Sequence, residues 1–103
     1  MRKFAAFAAA ELAPGEMRKL ALPDERAIAI YNVAGKFYAT DDLCTHGEVS
    51  LTEEGVLNGH IIECSWHFGS FDVTTGQVMT TPCNRDLPTY PVCEIDGVLH
   101  VEA

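Results

Sequence analysis

No hydrophobic run in this 103-residue chain approaches the roughly 18–20 residues that a membrane-spanning helix needs. Positive charge is scarce. Lys and Arg total 7 against 15 Asp and Glu, which leaves a formal net charge of −8. Nucleic acid and anionic membranes repel such a chain, whereas a basic protein partner attracts it. Four cysteines, unevenly spaced, are too few for a disulfide framework. There is no internal repeat, low-complexity tract or linker, and no Ser/His/Asp arrangement, phosphate loop or nucleotide fingerprint that would point to an enzyme. Helical composition is confined to Ala5 to Leu12, and Pro14 ends it. Met1-Arg2-Lys3 ahead of Phe4 to Ala10 looks like a miniature signal peptide, but its apolar run lasts only seven residues before Glu11. Its removal would delete what reads as a first strand and a short helix. The expectation is a single cytoplasmic domain with a modest core.

What the chain has in quantity is turn signals. Between Pro14-Gly15, Pro23-Asp24, Ala34-Gly35, Asn58-Gly59, Thr75-Gly76 and Asp96-Gly97 lie short β-rich segments. Ala27 to Val33 and Lys36 to Ala39 read as a hairpin about Ala34-Gly35. Val56-Leu57 and His60 to Glu63 read as another, with Asn-Gly forming a type I′ turn. Thr89 to Ile95 and Val98 to Val101 make a third about Asp96-Gly97, and Ser70 to Val73 with Gln77 to Met79 a smaller pair. The expected class is all-β, a small barrel or sandwich.

The middle of the chain, about 43 to 81, holds three of the four histidines, two of the four cysteines and five of the eight glycines. Cys44-Thr45-His46 and Cys64-Ser65-Trp66-His67 each pair a soft thiolate with an imidazole, donors that suit iron or zinc. Seventeen residues separate His46 from Cys64, and the Asn-Gly hairpin between them could bring the two elements side by side. Gly47 and Gly69 flank them and let backbone approach a bulky inorganic group. A single Cys or His is commonly an inert core or surface residue. Two Cys-x(1–2)-His elements joined through a hairpin are not readily explained that way.

C-x-H, seventeen residues, then C-x-x-H resembles the Rieske iron–sulfur fingerprint, in which two Cys hold one iron and two His the other. The likeness extends to Gly69-Ser70-Phe71-Asp72 with Thr75-Gly76, to Pro82 in a loop over the cluster, to Thr89-Tyr90-Pro91-Val92 and to Leu12-Ala13-Pro14-Gly15-Glu16. Within that family the length, Cys44-Thr45-His46-Gly47 and Glu63-Cys64-Ser65-Trp66-His67 are similar to the free-standing ferredoxins of bacterial aromatic-ring dioxygenase systems, of the biphenyl and naphthalene type. The resemblance implies one [2Fe–2S] cluster held by Cys44, His46, Cys64 and His67. It implies a β-sandwich base, about 1–42 and 82–103, with a small loop-rich cluster-binding subdomain, about 43–81. It implies a monomeric electron carrier, not an enzyme, working between a flavin-dependent ferredoxin reductase and a terminal oxygenase.

In that family the second ring nitrogen of each histidine ligand faces solvent, which would place His46 and His67 at the docking surface. Trp66 and Phe68 flank His67 as local packing or as an apolar docking rim, with Glu48 adding charge beside it. High-potential relatives carry a disulfide where this chain has Val49 and Trp66. They carry hydroxyl donors to sulfur where it has Gly69 and Phe71, so a low potential is expected. Cys83 and Cys93 read as reduced structural thiols, His60 as a turn residue and His100 as part of the last strand. Asp24, Glu25, Asp41, Asp42, Glu53 and Glu54 read as a solvated surface. The alternatives are a mononuclear Cys₂His₂ zinc module and a small Rieske subunit of another complex, such as a nitrite reductase. A Rieske oxygenase would need a second iron site, and only His60 and His100 remain for it.

Overall fold

A computed structural model describes residues 2–45, 49–64, 69–80 and 85–103. In chain order the strands are β1 (Lys3–Ala8), β2 (Met17–Ala21), β3 (Ala27–Val33) and β4 (Lys36–Asp41). After the single-turn helix α1 (Leu51–Glu54) come β5 (Gly55–Asn58), β6 (Ile61–Cys64), β7 (Ser70–Asp72), β8 (Val78–Thr80), β9 (Thr89–Tyr90), β10 (Val92–Ile95) and β11 (Val98–Glu102). They form three antiparallel sheets, ordered β1-β11-β10, β2-β3-β4-β9 and β5-β6-β7-β8. The all-β expectation holds.

β3 explains the layering. Its five central residues are buried, and strand side chains alternate between faces. Ala29 and Tyr31 join Cys44, Leu51, Ile62, Cys64, Phe71, Val73 and Leu87 in one buried cluster. Ile28 and Ile30 join Leu12, Leu22, Ala39, Leu99 and Val101 in another. The sheet containing β3 is therefore a shared wall. One core lies between it and the β5–β8 sheet, and the other between it and β1-β11-β10. Each fully buried large side chain contributes about 1.5–3 kcal/mol. Polar groups on this wall are satisfied. The Tyr31 hydroxyl lies 2.9 Å from Thr40 Oγ1, which itself donates to the Asp41 carbonyl, and the Asn32 amide donates to the Leu12 carbonyl.

The turn signals set most hairpins. Ala34 (φ 52°) and Gly35 (φ 94°) join β3 to β4, and Asp96 (φ 51°) and Gly97 (φ 80°) join β10 to β11. Both pairs have the two left-handed residues of a type I′ turn. Three expectations need correction. Asn58 is the last residue of β5, pairing with Ile61, so the second hairpin turns on Gly59-His60, with only Gly59 at positive φ (64°). The expected strand from Thr89 to Ile95 is two strands. Pro91 has no N–H for a ladder, and across it the chain passes from β4's edge to β11's. The first strand and short helix read at the start are β1 and a 3-10 turn at Ala9–Glu11, so most of the helical composition from Ala5 to Leu12 lies in a strand. Register with β11 and the packing of Phe4, Ala6 and Phe7 against the core outweigh the alanine-rich composition there.

Candidate metal centre

Cys44 and Cys64 are 4% and 1% exposed and share one buried cluster. Each stands at the neck of a loop, and both loops close the same way. The Cys44 N–H donates to the Val49 carbonyl (2.9 Å) and the Cys64 N–H to the Gly69 carbonyl (2.8 Å), five residues on in each case. Beneath the first loop Leu43 bridges to Ser50. Beneath the second, Glu63 pairs with Ser70 in the β6–β7 ladder. The hairpin that the sequence placed between the two elements is the β5–β6 pair, and it ends at Cys64.

A third segment reaches the same place. The Thr45 hydroxyl donates to the Arg85 carbonyl (2.8 Å), and Val78 N–H to Asp86 Oδ1 (2.9 Å). Asp41, Leu43, Cys44, Thr45, Arg85, Asp86 and Pro88 line an open cavity of about 470 Å³ beside the first loop. His46 with Gly47 and Glu48, His67 with Ser65, Trp66 and Phe68, and Pro82 with Cys83 lie outside the described residues.

Asp42 corrects an expectation. It is 2% exposed, not part of a solvated surface. Ser50 Oγ donates to its Oδ2 (2.6 Å). Thr52 N–H and Oγ1 donate to its Oδ1 (2.9 and 2.7 Å), and Lys19 Nζ lies 3.4 Å from Oδ2. Burial pushes this carboxyl up, but the hydroxyl donors, the Thr52 N–H and the Lys19 charge together hold it below the usual range. Lys19 also pairs with Glu53, and that hydrogen bond, aided by Asp42, raises its ammonium above the ordinary value. The missed signal was Ser50-Leu51-Thr52-Glu53, an S-x-x-E capping pattern. Ser50 caps α1 by accepting from Glu53 N–H.

The other candidates lie apart. His60 is in the β5–β6 turn, 3.8 Å from Asp72, and His100 is on β11 in a different sheet, its Nδ1 3.1 Å from the Val98 carbonyl. Cys93 is a free thiol, but it is exposed on β10 and so is not the packed structural residue expected.

Cys44 and Cys64, buried in one apolar core, each carry a soft thiol of the kind that suits iron in a sulfide cluster. Comparison with known proteins agrees. The model of the Rieske [2Fe-2S] domain family matches residues 2–91. The ferredoxin component of the p-cumate 2,3-dioxygenase system of Pseudomonas putida is 48% identical over 92 residues, covering 89% of this chain and 78% of that protein. The biphenyl dioxygenase ferredoxin subunit of Pseudomonas sp. (strain KKS102) is 47% identical over 87 residues, covering 84% and 78%. Among solved structures, a chain in the complex of reduced oxygenase and oxidized ferredoxin in carbazole 1,9a-dioxygenase superposes with a TM-score of 0.92 at 38% identity, over 96% of this chain and 91% of that one.

Proposed function

The chain belongs to the Rieske [2Fe-2S] domain family, among the ferredoxin components of dioxygenase systems, and from that membership we propose that it carries single electrons from a flavin-dependent ferredoxin reductase to a terminal aromatic-ring oxygenase. Its cofactor is a Rieske [2Fe–2S] cluster. We assign Cys44 and Cys64 to one iron and His46 and His67 to the other. When bound, the cluster supplies a reversible one-electron centre.

The observation that carries this reading is the matched pair of loop necks, which buries Cys44 and Cys64 in one core. The chain's own residues do three things there. The backbone bonds at the necks fix where each cysteine leaves the scaffold. Leu51, Ile62, Phe71 and Leu87 keep water from the thiol side of the site. The acidic exterior steers a basic partner. On this reading residues 43–81 form the cluster-binding subdomain, and 1–42 with 82–103 the base.

Among the described residues no helix is long and apolar enough to cross a membrane. The stretch that resembles a signal peptide contains β1, which pairs with β11, and the site of action proposed is the cytoplasm. The test is reconstitution with candidate reductase and oxygenase components while following substrate oxidation, alongside iron and acid-labile sulfide analysis. About two of each per chain are expected. Zinc in place of iron and sulfide would end the proposal.

A further inference from the structure

The two ligand loops rise from different supports. The second leaves β6 and returns as β7, so a strand ladder holds its neck. The first leaves β4 and returns into α1, where no ladder continues beyond the Leu43–Ser50 bridge. Asp42 lies at that point. Its donors come from the far side of the loop: the Ser50 hydroxyl and both the backbone and hydroxyl of Thr52. The Leu51 N–H donates to the Asp42 carbonyl (2.7 Å), and the Asp42 N–H bonds back to Ala27 on β3 (3.0 Å). A carboxylate this deeply buried is costly unless it is paired and hydrogen-bonded. Here two hydroxyls, one N–H and the Lys19 ammonium meet that requirement.

We infer that Asp42 is the positioning residue of the first ligand loop, a side-chain clamp across its neck that takes the place of a strand ladder and fixes where Cys44 is presented to iron. The inference rests on the assignment of Cys44 as a ligand. The clamp acts through position and not through its charge, and the two can be separated. Ser50→Ala with Thr52→Val removes both hydroxyl donors and keeps the carboxylate. Asp42→Asn removes the charge and keeps the size and an oxygen for Thr52.

The holoprotein and each variant are compared by electron paramagnetic resonance of the reduced cluster, by midpoint potential and by the rate of cluster loss to an iron chelator. In the Ser50→Ala/Thr52→Val protein the g-values are expected to move, and cluster loss to accelerate roughly tenfold. Asp42→Asn has the smaller effect on both. Lys19→Met, which removes the ammonium shared by Asp42 and Glu53 and keeps the hydroxyl bonds of the clamp, leaves the g-values in place. Unchanged g-values and loss rate in the double variant overturn the inference, and so does a shift confined to Asp42→Asn. If the double variant does not fold, Ser50→Ala alone is read by the same criteria. A wild-type protein without iron and sulfide overturns the ligand assignment itself. A loaded wild type with an indifferent clamp variant overturns only this inference.

Discussion

The Ser70 hydroxyl donates to Thr80 Oγ1 at 2.8 Å, joining β7 to β8 across the sheet. Ser70 lies between Gly69 and Phe71, the two positions where high-potential Rieske proteins carry hydroxyls directed at sulfur. With its proton engaged by Thr80, Ser70 does not substitute for them. Phe71 is fully buried in the core, and Val49 occupies one position of the missing disulfide. Hydrogen bonds to sulfur stabilise the more negative, reduced state, so their absence lowers the potential. The expected midpoint is on the order of −150 mV, and Ser70→Ala should leave it nearly unmoved. A potentiometric titration placing the midpoint clearly above zero would refute both statements.

Replacing Cys44 or Cys64 by Ser should abolish the cluster, because a hydroxyl is a hard, weakly ionised substitute for thiolate. His67→Cys exchanges a neutral donor for a charged one, so any cluster that remains should show an altered visible and paramagnetic spectrum. Iron and sulfide content, measured on protein whose circular dichroism matches the wild type, separates ligand loss from misfolding.

Docking should depend on the residues beside His67. Trp66→Ala and Phe68→Ala are expected to slow electron transfer to the oxygenase while the cluster stays intact, if these side chains form the apolar rim. The −8 net charge should make association salt-sensitive, falling by roughly tenfold between low and high ionic strength. Stopped-flow rates that ignore both salt and these substitutions would move the docking face elsewhere.

Stability should decline at alkaline pH through Tyr90. Its hydroxyl donates to Asp41 Oδ1 at 2.5 Å. Burial first, then that hydrogen bond and the Asp41 charge, push its ionisation from 10.0 up to about 12, with Arg26 opposing. The folded state therefore holds this proton more tightly than the unfolded chain. The stabilisation is fully present below about pH 10 and is lost as the pH rises through about 12. Tyr90→Phe should lower stability at neutral pH by about 1 kcal/mol of hydrogen bonding, read as a lower melting temperature. It should also flatten part of the alkaline decline. Tyr31, likewise pushed up by burial, and Lys19, raised by its hydrogen bond to Glu53, add to the decline. A wild-type melting temperature that holds level from pH 9 to 12 would contradict this.

Two glycines at positive φ should respond differently to alanine. At Gly76 (φ 80°) a Cβ would overlap the Leu87 carbonyl oxygen and lie 2.9 Å from the Thr89 side chain. At Gly59 (φ 64°) it would meet nothing within 4 Å. Gly59→Ala should cost only the left-handed backbone penalty, about 1–2 kcal/mol. Gly76→Ala should cost more, because the segment from Arg85 to Pro88 must also shift. Equal losses in denaturant unfolding would mean that the Gly76–Leu87 approach is unimportant.

The hairpins were legible because glycine and its neighbours declare left-handed turns locally. Ala34-Gly35 and Asp96-Gly97 needed no tertiary information. Pro91 was visible too, but its effect was not, because a missing N–H says only that a ladder stops and not which strand the chain joins next. Ala5 to Leu12 misled because composition is a weak preference that pairing with β11 overrides. The two cysteines were found by spacing. The clamp behind one of them was not, since nothing local distinguishes Asp42 from the exposed carboxylates around it. Its burial depends on Ser50, Thr52 and Lys19, residues whose proximity only the folded chain creates.

Lys3 pairs with Glu102 and Phe4 with Val101, whereas β5 to β8 are contacts among residues 55 to 80. The two ends of the molecule thus differ in the chain length over which each must close, and long closures carry the larger entropic cost and the slower rate. During synthesis the β5–β8 hairpins can pair while the ribosome is still extending the chain. β1, made before them, has no partner until β11, made after them, emerges. The β5–β8 sheet is thus available to assemble before the sheet of β1, β10 and β11 can be completed.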